Sequence, residues 1–104
     1  MATAYKVLKD DLSSLRLLGA PHFVYSFGMW NLPLEPLSGH PRKGGGIWVA
    51  PTLSAAKKMV RYMKKAHGVS TRIFRCEIGR ILHRTSCRIK TDKIFFTQAD
   101  EITQ

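Results

Sequence analysis

Five basic side chains near the middle of the chain have the spacing that most clearly predicts a chemistry. They are Lys57, Lys58, Arg61, Lys64 and Lys65. On a helix they fall within an arc of about 120°. No acidic residue lies three or four positions from any of them, so nothing on the helix offsets their mutual repulsion of a few tenths of a kcal/mol per pair. This pattern is typical of a surface that contacts phosphates, and the alternative is an ordinary solvated helix face.

The opposite side of the same segment is apolar. Its stripe consists of Ala56, Met59, Val60, Met63 and Ala66, the period of a helix packed on a sheet. Thr52 or Ser54 can cap the start of the helix, and Gly68 suits the left-handed residue after its end. We therefore predict a helix from about Leu53 to His67, with Ala56, Met59, Val60 and Met63 buried against a sheet that includes Ile47, Val49, Ile73 or Phe74.

Three consecutive glycines, Gly44 to Gly46, come shortly before this helix, directly after Arg42 and Lys43. Glycines expose backbone N–H groups to which a phosphate can bind, and the two cations add favourable charge. A tight turn into a buried strand explains the glycines equally well. Neither a Walker-type nucleotide-binding loop nor a G-x-G-x-x-G dinucleotide motif is present in the sequence.

Composition predicts one basic domain over residues 1–104. The 104 residues are 44% hydrophobic, enough for a single core, and carry a formal net charge of +10. Such a charge predicts a polyanionic partner, nucleic acid first. No secretory signal and no run of about 20 apolar residues is visible. We therefore expect a soluble intracellular protein without a membrane partner, and leave nucleus or cytoplasm, DNA or RNA, and oligomeric state open.

Cysteine and histidine do not predict a metal site. Cys76 and Cys87 lie in strand-like segments, where a free thiol packs as a small hydrophobe. A zinc site built from Cys76, His83 and Cys87 would need a fourth ligand and lacks the C-x2-C spacing of strong zinc motifs. We expect no metal.

The remaining pattern predicts an α+β domain, in which one main helix covers a curved, mostly antiparallel sheet of five to six strands. Alternating or β-branched runs place the strands at residues 5–9, 23–27, 47–50, 71–78, 84–90 and 93–97, the last two as a hairpin. A short N-terminal helix is expected over residues 12–18. Residues 31–46 are rich in proline and glycine and predict a long loop.

The run from Gly44 to Met59, GGGIWVAPTLSAAKKM, resembles the second motif of ADP-ribosyltransferase-like domains. In that family, glycine and a short strand with a tyrosine lead through a Ser/Thr turn into a helix that begins with small residues. A first strand ending in an aromatic residue plus Arg or His precedes this motif, and a Glu or Gln on a late strand follows it. The resemblance places the first motif at Tyr5-Lys6-Val7, the second at Ile47-Trp48-Val49 and the third at Gln98 or Glu101, over nearly the whole chain.

The resemblance implies candidate catalytic residues Lys6, Trp48 and Glu101, and NAD as cofactor. Lys6 stands where the family has the Arg or His that holds NAD, and lysine does not make the forked contacts of arginine. Trp48 stands where the family has a tyrosine that stacks on nicotinamide, which tryptophan can also do. RNA 2′-phosphotransferases share that general fold and would suit the charge, but their Arg and His motifs are not visible here.

Three function hypotheses follow. The first is a non-catalytic nucleic-acid-binding domain without a cofactor, which uses the five helix cations with Arg42 and Lys43. Its candidate extensions are Arg72, Arg75, Arg88 and Lys90, and its candidate stacking residues are Trp30, Trp48, Tyr25 and Phe27, whose alternative role is core packing. The second is a diverged ADP-ribosyltransferase-like or RNA-phosphate transferase, with NAD or another nucleotide as ligand. The third is an interaction module for an acidic protein.

Overall fold

The fold consists of one long helix and of strands that precede and follow it in the chain. The computed structural model describes residues 2–15, 22–33, 37 and 45–103. In chain order the elements are β1 Ala2–Lys9, β2 Trp30–Asn31, β3 Ile47–Val49, α1 Leu53–His67, β4 Thr71–Ile78, β5 Ile81–Arg84, β6 Ile89–Thr91, β7 Ile94–Phe95, a 3₁₀ turn Gln98–Asp100 and β8 Glu101–Ile102.

The two longest strands, β1 and β4, form the centre of the domain. They pair antiparallel over eight positions, from Ala2 opposite Ile78 to Lys9 opposite Thr71. The sheet continues in the order β1-β4-β7-β2, and β8 pairs with β4 beside β7. Both strands place buried residues on two faces, as expected of strands covered on both sides.

A second sheet has the order β3-β6-β5. It joins the first through an antiparallel bridge between Tyr5 of β1 and Ala50, just after β3. In this bridge each N–H donates to the other residue's carbonyl oxygen, at 2.9 and 2.8 Å. The division into two sheets differs from the single curved sheet that we expected. Strand β6 ends at Thr91, and after two intervening residues the chain forms β7, which pairs with β4 and β2 of the first sheet and not with β6.

The main core lies between the inner faces of the two sheets. Ala4, Leu8, Phe74, Cys76 and Ile78 of the first sheet pack in one buried cluster with Ile47, Val49 and Ile89 of the second. Aromatic rings complete this cluster: Phe74 lies 4.9 Å from Phe96 between ring centroids, and Phe27 lies 5.6 Å from each of them. Dense aromatic packing of this kind supplies much of the apolar area that the domain buries.

Helix α1 covers the other face of the first sheet. Its bounds, Leu53–His67, confirm the prediction. The Thr52 side chain accepts a hydrogen bond from the Ala55 N–H at 3.1 Å, and Gly68 ends the helix with φ 65°, which favours glycine. The helix packs on Val7 and Ile73. Of the expected partners only Ile73 lies on this side, because Ile47, Val49 and Phe74 point to the main core.

The N-terminal helix expected over residues 12–18 does not form in the described part of that range. Leu12 has a positive φ of 68°, and Ser13 forms an antiparallel bridge with Val24. The Asp11 carboxylate accepts hydrogen bonds from the N–H and the hydroxyl of Ser13, which stabilise a turn instead of a helix. Residues 16–18, and most of the expected loop at 31–46, lie outside the described residues.

Two further segments differ from the predicted strands. Phe23 to Phe27 alternates inward and outward, with its aromatic rings toward the main core, but among the described residues its strand pairing is limited to the bridge between Val24 and Ser13. The predicted strand at 84–90 is interrupted: Arg84 ends β5, Ile89 begins β6, and residues 85–88 form a turn between them in which Arg88 and Thr85 exchange hydrogen bonds. The expected hairpin partner, β7, pairs with β4. These changes leave the class intact: the protein is a compact single α+β domain with one main helix and antiparallel strands.

Met63→Ala should lower the free energy of unfolding by about 2 to 5 kcal/mol, because Met63 is 2% exposed and its truncation leaves a cavity under α1. Tyr62→Ala is the matched control, since Tyr62 is 51% exposed, and it should change stability by no more than about 0.5 kcal/mol. Urea denaturation of both variants measures the difference. Equal midpoints for Met63→Ala and the parent would contradict the packing of α1 described here.

Candidate nucleic-acid interface

The solvent side of α1 carries the five predicted cations together. Lys57, Lys58, Arg61, Lys64 and Lys65 are all exposed, because packing of Ala56 and Met63 on the sheet turns the opposite face of the helix outward. Within the described residues the ion pair found is Arg72–Glu101, so no described carboxylate neutralises a helix cation. We name these five residues the basic helix face. Arg42 and Lys43 lie outside the described residues.

The candidate extensions do not form one surface with each other. Arg75 is exposed on β4 and lines a groove of about 280 Å³ together with Thr3, Glu77 and Asp100. Arg72 pairs with a carboxylate, as described below. Arg88 and Lys90 lie on the second sheet, next to Trp48.

Of the four candidate stacking residues, two belong to the core. Tyr25 is buried in the main core, and Phe27 packs against that core through the Phe74 and Phe96 rings. Trp30 lies on β2, where its ring contacts the Phe95 ring at 5.7 Å between centroids and the Lys93 ammonium at 4.6 Å. Trp48 is half-buried on β3, so a part of its side chain meets solvent.

Lys6 is a buried lysine in the main core. Its ammonium nitrogen donates to the Trp48 carbonyl oxygen at 2.7 Å and lies 5.2 Å from the centroid of the Tyr25 ring. Burial lowers the pKa of Lys6 to about 8, and interaction with Cys76 opposes this shift only in part. Burial in turn raises the pKa of the Cys76 thiol to about 12 and raises the pKa of Tyr25. Cys76 is therefore a neutral thiol at pH 7.

Glu101 lies across β4 from Lys6, since Phe74 pairs with both. Its carboxylate accepts two hydrogen bonds from the Arg72 guanidinium, from Nε at 2.9 Å and from Nη2 at 2.7 Å. This forked pair lowers the pKa of Glu101. Arg72 also stacks on Phe74, with its guanidinium carbon 5.1 Å from the ring centroid. The structure brings Lys6 to the main chain of Trp48 and brings Glu101 to neither of them.

The Trp48 ring is the centre of a second basic cluster. The Arg88 guanidinium carbon lies 4.4 Å from its centroid, the Lys90 ammonium 5.9 Å and the His83 ring 6.1 Å. Gly46 makes this arrangement possible, because a Cβ there would lie 2.6 Å from the Lys90 Cε. Sequence analysis named Arg88 and Lys90 but considered His83 only as a metal ligand. No pattern in the sequence indicates this neighbourhood, because it depends on the strand register, in which His83 and Trp48 flank Lys90.

The two cysteines are free thiols. Cys76 is buried on β4 and Cys87 is exposed in the turn before β6. Among residues 2–15, 22–33, 37 and 45–103, no group of three or more His, Cys, Asp or Glu side chains is arranged to hold a metal ion. In the same ranges no helix has the length and apolar character needed to cross a bilayer.

Comparisons with protein-family models, with curated proteins and with solved structures found no match to this chain. The function must therefore be argued from the geometry just described.

Stability should depend on pH through Lys6. The folded pKa of about 8 lies below the ordinary value of 10.5, so the unfolded chain binds more protons between these values and stability rises with pH across that window. The full penalty, about 3 kcal/mol, applies below about pH 8. From pH 7 to 10.5 the free energy of unfolding of the parent should therefore rise relative to that of Lys6→Met, by up to about 3 kcal/mol.

Lys9→Met is the matched control, because Lys9 lies half-exposed at the end of the same strand. It removes the same charge without touching the core. If the difference between the parent and Lys6→Met stays constant over that pH range, the Lys6 ammonium is not buried as described.

Proposed function

We propose that this protein is a small basic nucleic-acid-binding domain that contacts phosphates through the basic helix face and catalyses no reaction. The observation that supports this most directly is the exposure of five cations on one side of a single helix with no described carboxylate among them. Phosphate groups, spaced regularly along a nucleic-acid backbone, are the anions that such a row of charges fits.

The charge of the whole chain supports the same proposal. A formal net charge of +10 creates a positive field that attracts polyanions and speeds encounter with them. The basic helix face concentrates part of that field on a rigid element, because caps at both ends and a packed apolar side hold α1 on the sheet. Rigid placement reduces the entropy lost on binding.

The energetics favour a binding role over a stabilising one. Five like charges within one arc repel each other, and exposed lysines paired with acids at i±4 would have stabilised the helix instead. The last turn is an exception, since Lys64, Lys65 and His67 interact favourably with the carboxyl-terminal end of the helix. Stability accounts for that turn but not for Lys57, Lys58 or Arg61.

Binding of duplex DNA or RNA should weaken with salt. If five phosphates are neutralised, log K falls against log salt with a slope of roughly −4 to −5. Each Lys→Ala change on the basic helix face should reduce the steepness of this slope by about one and weaken all sequences alike, since phosphate contacts do not distinguish bases. Fluorescence anisotropy with a labelled duplex at several salt concentrations gives both quantities.

Charge reversal provides a sharper comparison. Arg61→Glu changes the centre of the basic helix face, and Lys9→Glu makes the same charge change on β1. We expect the larger loss of affinity for Arg61→Glu. Replacement of Lys57, Arg61 and Lys64 together by alanine without loss of affinity for any DNA or RNA would show that the basic helix face is only a solvated surface. Binding to an acidic protein but to no nucleic acid would favour the interaction-module hypothesis instead.

A second candidate is a diverged ADP-ribosyltransferase-like domain that binds NAD or a related nucleotide. It is supported by the contact between the first two positions that the resemblance implies, where the Lys6 ammonium meets the Trp48 carbonyl oxygen. On this hypothesis NAD at millimolar concentration or below quenches Trp48 fluorescence and raises the melting temperature, and label passes from NAD to protein or RNA. No quenching and no transfer would remove this candidate.

A further inference from the structure

The residues around Trp48 form a second basic cluster, which is separate from the basic helix face. Trp48, Lys90 and His83 occupy one cross-strand row over β3, β6 and β5. Arg88 lies two positions before Lys90 and stacks on the Trp48 ring, 4.4 Å from guanidinium carbon to centroid. Lys90 is buried, at 1% exposed, so the half-buried Trp48, His83 and Arg88 are the members of this cluster that reach solvent.

Arg88 is held in place from two directions. Its guanidinium carbon lies over the indole ring. The turn that carries Arg88 is fixed by Thr85, whose hydroxyl oxygen accepts the Arg88 N–H at 3.1 Å and the Cys87 N–H at 3.2 Å. No carboxylate of the described residues pairs with Arg88. Its in-plane N–H donors are thus available to an anionic ligand while its flat face can receive a planar group.

Trp48 lies on the face of β3 that points away from the main core, because its neighbours Ile47 and Val49 face that core. Ala50 pairs with Tyr5, and both residues pack in the cluster under the helix. Trp48 precedes Ala50 by two positions, and alternate residues of a strand share a face.

We propose that Trp48 and Arg88 form a stacking site for an unpaired base, so that the natural ligand of this protein is single-stranded nucleic acid. This inference rests on the proposed function, and it adds the ligand class. Single-strand recognition combines cations along the backbone with aromatic rings or guanidinium planes on which bases stack. A base within a duplex has both faces covered by its neighbours, so the Trp48 site contributes nothing to duplex binding.

Trp48 can be followed by its own fluorescence. The chain has two tryptophans, so Trp30→Phe leaves Trp48 as the only one. Trp30 lies on the other sheet and is not part of the Trp48 cluster. In this background a single-stranded oligo(dT) of about twelve nucleotides should quench Trp48 emission. The matching dA·dT duplex should not quench it at equal saturation. Equal quenching by both probes overturns the proposal.

Arg88→Lys separates stacking from charge, because it keeps the cation and removes the guanidinium plane. We expect the affinity for the single strand to fall about 5-fold or more, with duplex affinity and salt slope unchanged. Trp48→Leu should act in the same way, and Arg88→Lys remains informative if Trp48→Leu fails to fold. Arg80→Ala is the matched control, since Arg80 is exposed in the turn before β5 and should affect both probes equally and weakly.

The two proposals fail separately. If the alanine triple variant at Lys57, Arg61 and Lys64 weakens binding but Arg88→Lys and Trp48→Leu match Arg80→Ala on the single strand, the stacking site is wrong and the basic helix face stands. If the triple variant binds normally but these two variants lose single-strand affinity, the stacking site stands and the basic helix face is wrong. If the parent protein binds neither the single strand nor the duplex, both proposals are wrong.

Discussion

The structure depends on the double use of strand β1. One edge of β1 pairs with β4 over eight positions, and the other edge bonds Ala50 through Tyr5, which holds the second sheet and the start of α1. Its side chains serve both layers as well, since Leu8 faces the main core and Val7 faces the helix. A strand with both edges and both faces occupied cannot shift its register without disrupting every layer at once.

This constraint explains where the charges end up. Tyr5 and Ala50 fix the chain as it leaves β3, and Thr52 then begins α1 within two residues. The helix has one orientation that buries Ala56 and Met63, and in that orientation the five cations face solvent. Trp48 lies two positions before this bridge and points away from the main core, which its neighbours Ile47 and Val49 face. The basic helix face and the Trp48 cluster are thus positioned by one short segment, residues 47–52.

Sequence could predict the elements whose signals are local. Helix α1 has a full apolar period and caps at both ends, and β4 alternates over eight residues, so both bounds were predicted closely. The second sheet was not predictable, because β3, β5 and β6 are each three or four residues long and β3 pairs with β6, which follows it only after α1, β4 and β5. The Asp11–Ser13 turn likewise overrides a helical pattern through side-chain hydrogen bonds.

The site shows the same division between local and distant information. The basic helix face follows from a count along one helix, so sequence identified all five of its members. The Trp48 cluster needs the register of three strands, which brings positions 48, 83 and 90 into one row. Nothing in their spacing along the chain indicates that row.

The contacts of individual residues rank the two candidate functions. Lys6 and Glu101 are each committed to partners within the fold, Lys6 to the Trp48 carbonyl and Glu101 to Arg72. A transferase reaction would require both to exchange these contacts for a ligand. Freeing the buried Lys6 ammonium costs of the order of several kcal/mol, whereas breaking the exposed Arg72–Glu101 pair costs about 1 kcal/mol or less. The helix cations have no described ionic partner to give up. A phosphate backbone can therefore bind them with no rearrangement of the domain, which is why the nucleic-acid-binding function is the one that this fold supports best.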